Sequence, residues 1–150
     1  MRRLVRYLIC MVVLVPSVCL ARDVAVITDK TNPLSAVTNK DLVKLLRTDT
    51  AKWPDGKRVI VFLSDPDSQD SKVLLEKTYG MTPAAFKAFA NSQKGGIVIL
   101  SSDDEVVKAV AGQPGAIGVV NVYSINSAVK VVKVDGKLPL EQGYLLHDNR

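Results

Sequence analysis

Few residues in this sequence are equipped for chemistry. His147 is the only histidine and lies at the end of the chain, so a Ser/His/Asp relay would have to recruit a tail residue; a histidine so placed is expected to be a solvated side chain. No pair of histidines or cysteines has the spacing of a zinc site. The run Asp65-Pro66-Asp67-Ser68-Gln69-Asp70, with Glu76 beyond, puts Asp65, Asp67, Gln69 and Glu76 at the first, third, fifth and twelfth positions of a calcium loop. The sixth position, which must be glycine for the sharp turn, is Asp70. Acids at a helix start, where the dipole favours them, account for the run without a metal. No enzymatic activity, cofactor or metal is expected.

Anion capture is the chemistry that remains. An apolar strand over residues 59–63, a polar turn and a helix opening at Ser68 leave backbone N–H groups at the carboxyl edge of a sheet, where open α/β sheets hold ligands and helix N-termini hold anions. Ser68 either caps that helix or presents its hydroxyl as well. The candidate ligand-binding residues are Ser68, Gln69 and Asp70, joined by Asn32 and Ser35 from the loop after the first strand. Asp65, Asp67 and Asp70 make the local field negative, which opposes a bound anion.

The elements that must position these residues alternate. Residues 24–27 read as a buried strand and residues 116–120 as another; residues 97–100 suggest a short strand and residues 129–134 an edge or half-exposed one. Between them, Leu42, Leu45 and Leu46 mark a helix opened by Thr38 and Asp41. A second helix carries Val73, Leu74, Leu75 and Tyr79 and stops at Gly80. A third opens with Thr82-Pro83 and buries Phe86, Phe89 and Ala90. A fourth opens with the capping box of Ser102 and Glu105 and carries Val106, Val107 and Val110. Strands alternating with helices build a mixed, mostly parallel sheet with helices on both faces, an α/β domain. Trp53 is expected as a core or turn anchor, and Gly118 marks a close approach to the strand by packing or by a ligand.

The ends qualify the totals. Arg2, Arg3 and Arg6, an apolar stretch over residues 7–15 and small residues before a cut after Ala21 form an export signal, shorter than the roughly 20 residues of a membrane span. An uncleaved anchor, or a lipoprotein acylated at Cys19, is the alternative; Val18 is large for the residue before an acylated cysteine. Removing 21 of the 150 residues leaves 129, enough for one core. Both cysteines leave with the signal, and the precursor's +5 falls to +2 as 17 bases face 15 acids. Neither nucleic-acid binding nor disulfide chemistry is expected. The expected organisation is a signal over 1–21, a domain over 22–136 and a tail over 137–150 whose leucines suggest that it packs somewhere.

Four stretches resemble the phosphate-type substrate-binding proteins of ABC transporters. They are residues 42–46 leading into Lys52-Trp53-Pro54-Asp55-Gly56-Lys57; Ser68 after the second strand; Met81-Thr82-Pro83 with Phe86; and Ser102 to Val110 leading into Pro114-Gly115-Ala116-Ile117-Gly118. The resemblance covers residues 23–134. It implies a single lobe of a type II periplasmic binding protein-like fold, a periplasmic location and phosphate or a related oxyanion as ligand. Two departures stand out. The family's two-lobed members close around the ligand, and this chain has length for one lobe. The family's R-x-D-x-S-G-T loop is here Ser64-Asp65-Pro66-Asp67-Ser68-Gln69-Asp70, keeping the serine and losing the arginine, glycine and threonine. Weak oxyanion binding follows. The alternative is an adaptor that has lost solute binding and docks a membrane transporter or a sensor protein; a homodimer could rebuild the missing lobe.

Overall fold

The computed structural model describes residues 22–48 and 52–148; the expected export signal lies outside them. Seven strands form one sheet: β1 (Arg22–Asp29), β2 (Ala36–Val37), β3 (Ile60–Leu63), β4 (Ile97–Ile99), β5 (Ala116–Asn121), β6 (Val129–Val134) and β7 (His147–Asp148). Their order is β2-β6-β1-β5-β3-β4, with β7 also paired to β1. All run the same way except β1, which is antiparallel to β5, β6 and β7. The expected mixed, mostly parallel sheet is the one observed.

Side-chain alternation divides the core. Val24 and Val26 of β1, Val61 and Leu63 of β3, and Ile117 and Val119 of β5 face one layer. There they meet α1 (Asn39–Leu46) through Leu42, Leu45 and Leu46, and α3 (Pro83–Ser92) through Phe86 and Ala90. The same layer holds α2 (Gln69–Leu74), which runs on as a π-helical turn over Leu75–Tyr79 and ends at Gly80 with φ +60°. On the opposite face, Ile27, Ala116, Val120 and Val129 meet Val106, Val107 and Val110 of α4 (Asp103–Gly112). A Cβ on Gly118 would come within 2.8 Å of Val110 and 2.9 Å of Val106. Glycine therefore serves helix–sheet packing there, and of the two expectations for Gly118 packing holds.

The caps form with local variations. Thr38 Oγ1 accepts from Asp41 N and donates to Asp41 Oδ2. Ser102 Oγ accepts from Glu105 N, while the Glu105 carboxylate takes the N–H of Ser101 rather than that of Ser102. The stretch after residue 136 packs on the domain over part of its length, as its leucines suggest. Tyr144 and Leu146 are buried in the main core and His147 pairs in register with Asp23. Leu145 is half-buried, whereas Leu138 and Leu140 stay exposed.

Candidate functional site

At the carboxyl edge, β3 leads through Asp65 and Pro66 to Ser68. Asp65 Oδ1 accepts from Asp67 N, and Asp65 O from Ser68 N, so the turn is held by its own groups. Ser68 caps α2: its Oγ accepts from Ser71 N at 3.1 Å and donates to Ser71 Oγ at 2.9 Å. A helix start leaves its first amides without helical partners. The Ser71 amide goes to Ser68 Oγ and the Lys72 amide to Ser68 O, which leaves those of Gln69 and Asp70.

A second helix start faces the same edge, because β5 runs parallel to β3 and feeds its end toward α4. Asn121, the last residue of β5, joins the two. Its Nδ2 donates to Asp70 Oδ2 at 3.0 Å and its N–H to Asp103 Oδ2 at 2.7 Å. With Ser64 and Ser71 these groups line a crevice of about 10 Å³, room for roughly one water. Each helix thus keeps a carboxylate over its own N-terminus, as the dipole favours. Asp67 is engaged outward, in an ion pair with Lys87 at 2.6 Å that raises the pKa of the lysine.

The five sequence-derived residues do not assemble into one site. Ser68, Gln69 and Asp70 lie at the carboxyl edge, but Asn32 and Ser35 lie beyond the far end of β1. The reason is the direction of β1. Val24 pairs with Asn121 at the carboxyl end of β5, whereas Thr28 pairs with Ile117 at its start, a separation of about 13 Å along the strand. Asn32 is buried, with Oδ1 accepting from Leu34 N and its carbonyl accepting from Lys130 Nζ. Ser35 is exposed and its carbonyl accepts from Lys133 N. Asn121 and Asp103 were missed as site residues. The signal was available: an asparagine ending a buried strand, beside a capped helix start.

The opposite edge holds the larger concavities. A cavity of about 130 Å³ is lined by Asp29, Asn32, Pro33, Trp53 and Pro54 among others. It adjoins an open groove of about 560 Å³ that runs past Leu34, Val37 and Leu45 and shares Trp53 and Pro54. Trp53 is a turn anchor: its N–H donates to Lys57 O, its carbonyl accepts from Gly56 N, and its Nε1 donates to Gly115 O at 2.8 Å. Asp29 is 4% exposed. Burial raises the pKa of its carboxyl, but donation from Thr31 Oγ1 and Thr31 N, with the nearby amides of Gly115 and Asn32, outweighs that and holds it below the usual value. Among the described residues no group of three or more His, Cys, Asp or Glu is arranged to hold a metal ion, and no helix is long and apolar enough to cross a membrane.

Comparison with known proteins adds a family. The model described as a PBP superfamily domain matches residues 19–145. No curated protein gives a significant match. Among solved structures the chain is similar to an ABC-type phosphate transport receptor from Vibrio cholerae (TM-score 0.70, 13% identity, covering 85% of this chain and 54% of that one). It is similar also to PstS from Borrelia burgdorferi (0.67, 14%, 86% and 55%) and to a phosphate binding protein from Stenotrophomonas maltophilia (0.63, 17%, 79% and 40%). The chain spans about half the length of these structures or less. At such identities the likeness establishes the fold.

Proposed function

The chain belongs to the PBP superfamily domain family, and on that premise we propose that it is a non-enzymatic solute-binding lobe with a phosphate-like oxyanion as its ligand class. It works in the periplasm after removal of residues 1–21. One observation carries the reading: two serine-capped helix starts, those of α2 and α4, converge with Asn121 at the carboxyl ends of β3 and β5, where open α/β sheets place ligands. Ser68, Gln69 and Asp70 contribute the α2 side of this site. A single lobe without an arginine fork, and with Asp70 and Asp103 in place, binds weakly, at about −4 kcal/mol or less, which is millimolar or worse.

A second reading is favoured by the same carboxylates. Asp70 and Asp103 already occupy the position an anion would take over the helix starts, which suits an adaptor that has lost solute binding and docks a membrane transporter or a sensor protein. Calorimetric titration with phosphate, repeated on Ser68→Ala, separates the two. Heat that the substitution removes supports the solute-binding lobe; no heat with any oxyanion sinks it in favour of the adaptor. Sedimentation of the same sample tests whether two chains pair to supply the second lobe.

A further inference from the structure

We propose that the cavity between the Asn32-Pro33 loop and the Trp53-Pro54 turn is a binding site for a small apolar amine, with its ammonium paired to Asp29 and its apolar body against Trp53 and the two prolines. This site lies at the edge of the sheet opposite Ser68 and is independent of the oxyanion reading.

Size, charge and wall chemistry all point to this class. The cavity holds about 130 Å³, close to the roughly 150 Å³ of an apolar cavity that takes benzene, so the occupant has about six to eight heavy atoms. Its exposed wall is mostly apolar, from Trp53, Pro33 and Pro54, with Asp29, Thr31, Asn32, Asp55 and Lys57 set around it, the mix of apolar body and placed polar groups that small-molecule pockets have. Trp53 is fixed by its Nε1 bond to Gly115 O, so the indole is a preformed wall for the apolar body rather than a mobile one. Gly115 makes this approach possible: it holds φ +85°, and a Cβ there would meet Arg58 O at 2.7 Å and Trp53 Cδ1 at 3.3 Å.

The charge is set by Asp29. Its Oδ1 accepts from Thr31, but its Oδ2 is buried with no donor in hydrogen-bonding geometry among the described residues. A buried carboxylate oxygen left in that state favours an incoming donor, and a charged one most. At the rim, Lys57 is 3.3 Å from Asp55 and answers that carboxylate, so the lining carries two negative charges against one positive. The ammonium of Lys130 lies on the Asn32 carbonyl and does not line the cavity. An amine meets the net negative charge of this lining; an anion of the same shape meets repulsion.

Trp53 is the only tryptophan of the chain, so its fluorescence reports this cavity and the groove that shares its indole, and the Asp29→Asn arm below tells the two apart. The test titrates the full chain with benzylamine, benzyl alcohol and benzoate, three occupants of one shape and different charge. Benzylamine is expected to give a saturable change, benzyl alcohol to bind about tenfold more weakly for want of a charge-assisted bond, and benzoate to give none. Asp29→Asn keeps the acceptor for the Thr31 turn and is expected to bring benzylamine down to the level of benzyl alcohol. Equal binding of amine and alcohol, preference for benzoate, or no saturable change with any of the three overturns the proposal. These arms need only the unaltered protein, so they decide the matter even where Asp29→Asn does not fold. With a folded variant, undiminished benzylamine affinity overturns it as well.

Discussion

His147 Nδ1 is bonded to the Asp23 carboxylate, a contact that fastens the last strand of the chain to the first. Asp23 is fully buried and its other oxygen accepts from Leu140 N. Tyr144 donates its hydroxyl to Val24 O at 2.8 Å, and burial together with the Asp23 charge keeps that hydroxyl protonated by raising its pKa. Removing one partner of a fully buried ion pair costs about 3–5 kcal/mol, but the His147 side chain is 38% exposed. His147→Ala is therefore expected to cost about 1–3 kcal/mol, the value of a lost hydrogen bond to a buried charged group. Leu146→Ala, at a fully buried position, is expected to cost more, about 2–5 kcal/mol. Urea unfolding of both variants checks the order; a silent His147→Ala would mean that the strand is held by its apolar residues alone.

The same contact shows where sequence reasoning stopped. Periodicity marked the helices that bury Leu42, Leu74, Phe86 and Val106, because each repeats at helical spacing beside a capping residue. It also marked the apolar runs of β1, β3 and β5. A run of buried β-branched residues carries no sign of its direction, so nothing local says that β1 runs against β5, and Asn32, expected beside Ser68, lies at the opposite edge of the sheet. His147 looked solvated because its partner is 124 residues away. A two-residue strand such as β7 is set by that distant pairing, not by its own propensity. In the same way Trp53 was legible as a turn anchor, whereas Asp29, its neighbour across the cavity, was not.

Two glycines separate steric crowding from backbone strain. At Gly118, alanine collides with the side chains of Val106 and Val110, and overpacking of this kind is expected to cost about 1–3 kcal/mol. Trimming Val110 to alanine in the same chain should recover part of that loss. At Gly115 the conflict is with the Arg58 carbonyl and comes with a positive φ, so no trimming of a side chain relieves it. Thermal unfolding of Gly118→Ala, Gly115→Ala and each paired with Val110→Ala checks that the rescue is confined to Gly118.

Asp29 sets a pH dependence at the acid end. Its carboxyl is held below the ordinary aspartate value of 3.8 in the folded chain, because donation from Thr31 outweighs burial. A group depressed on folding contributes stability that is fully present above its unfolded pKa and is lost as pH falls through the folded one. The contribution of Asp29 is thus constant at neutral pH and disappears below about pH 4. Asp29→Asn is expected to flatten the acid limb of the stability curve while leaving its shape between pH 5 and 8 unchanged. A limb as steep in the variant as in the parent would assign the acid loss to other carboxylates.

Asp70 and Asp103 oppose a bound oxyanion and support the helices whose first turns they occupy, so changing them should move affinity and stability in opposite directions. Asp70→Asn with Asp103→Asn keeps an oxygen for Asn121 Nδ2 and for Asn121 N. It removes two negative charges beside the crevice. Each is worth about 1 kcal/mol against an anion some 4–5 Å away in a water-rich site, so phosphate affinity is expected to rise by about tenfold or more. Each carboxylate also favours its helix dipole by about 0.3–1 kcal/mol, so the doubly substituted chain should unfold at lower urea. Calorimetry and urea unfolding on the same preparation read both. A stability loss without gain in phosphate binding would leave the carboxylates with a purely structural role and move the weight to the adaptor reading.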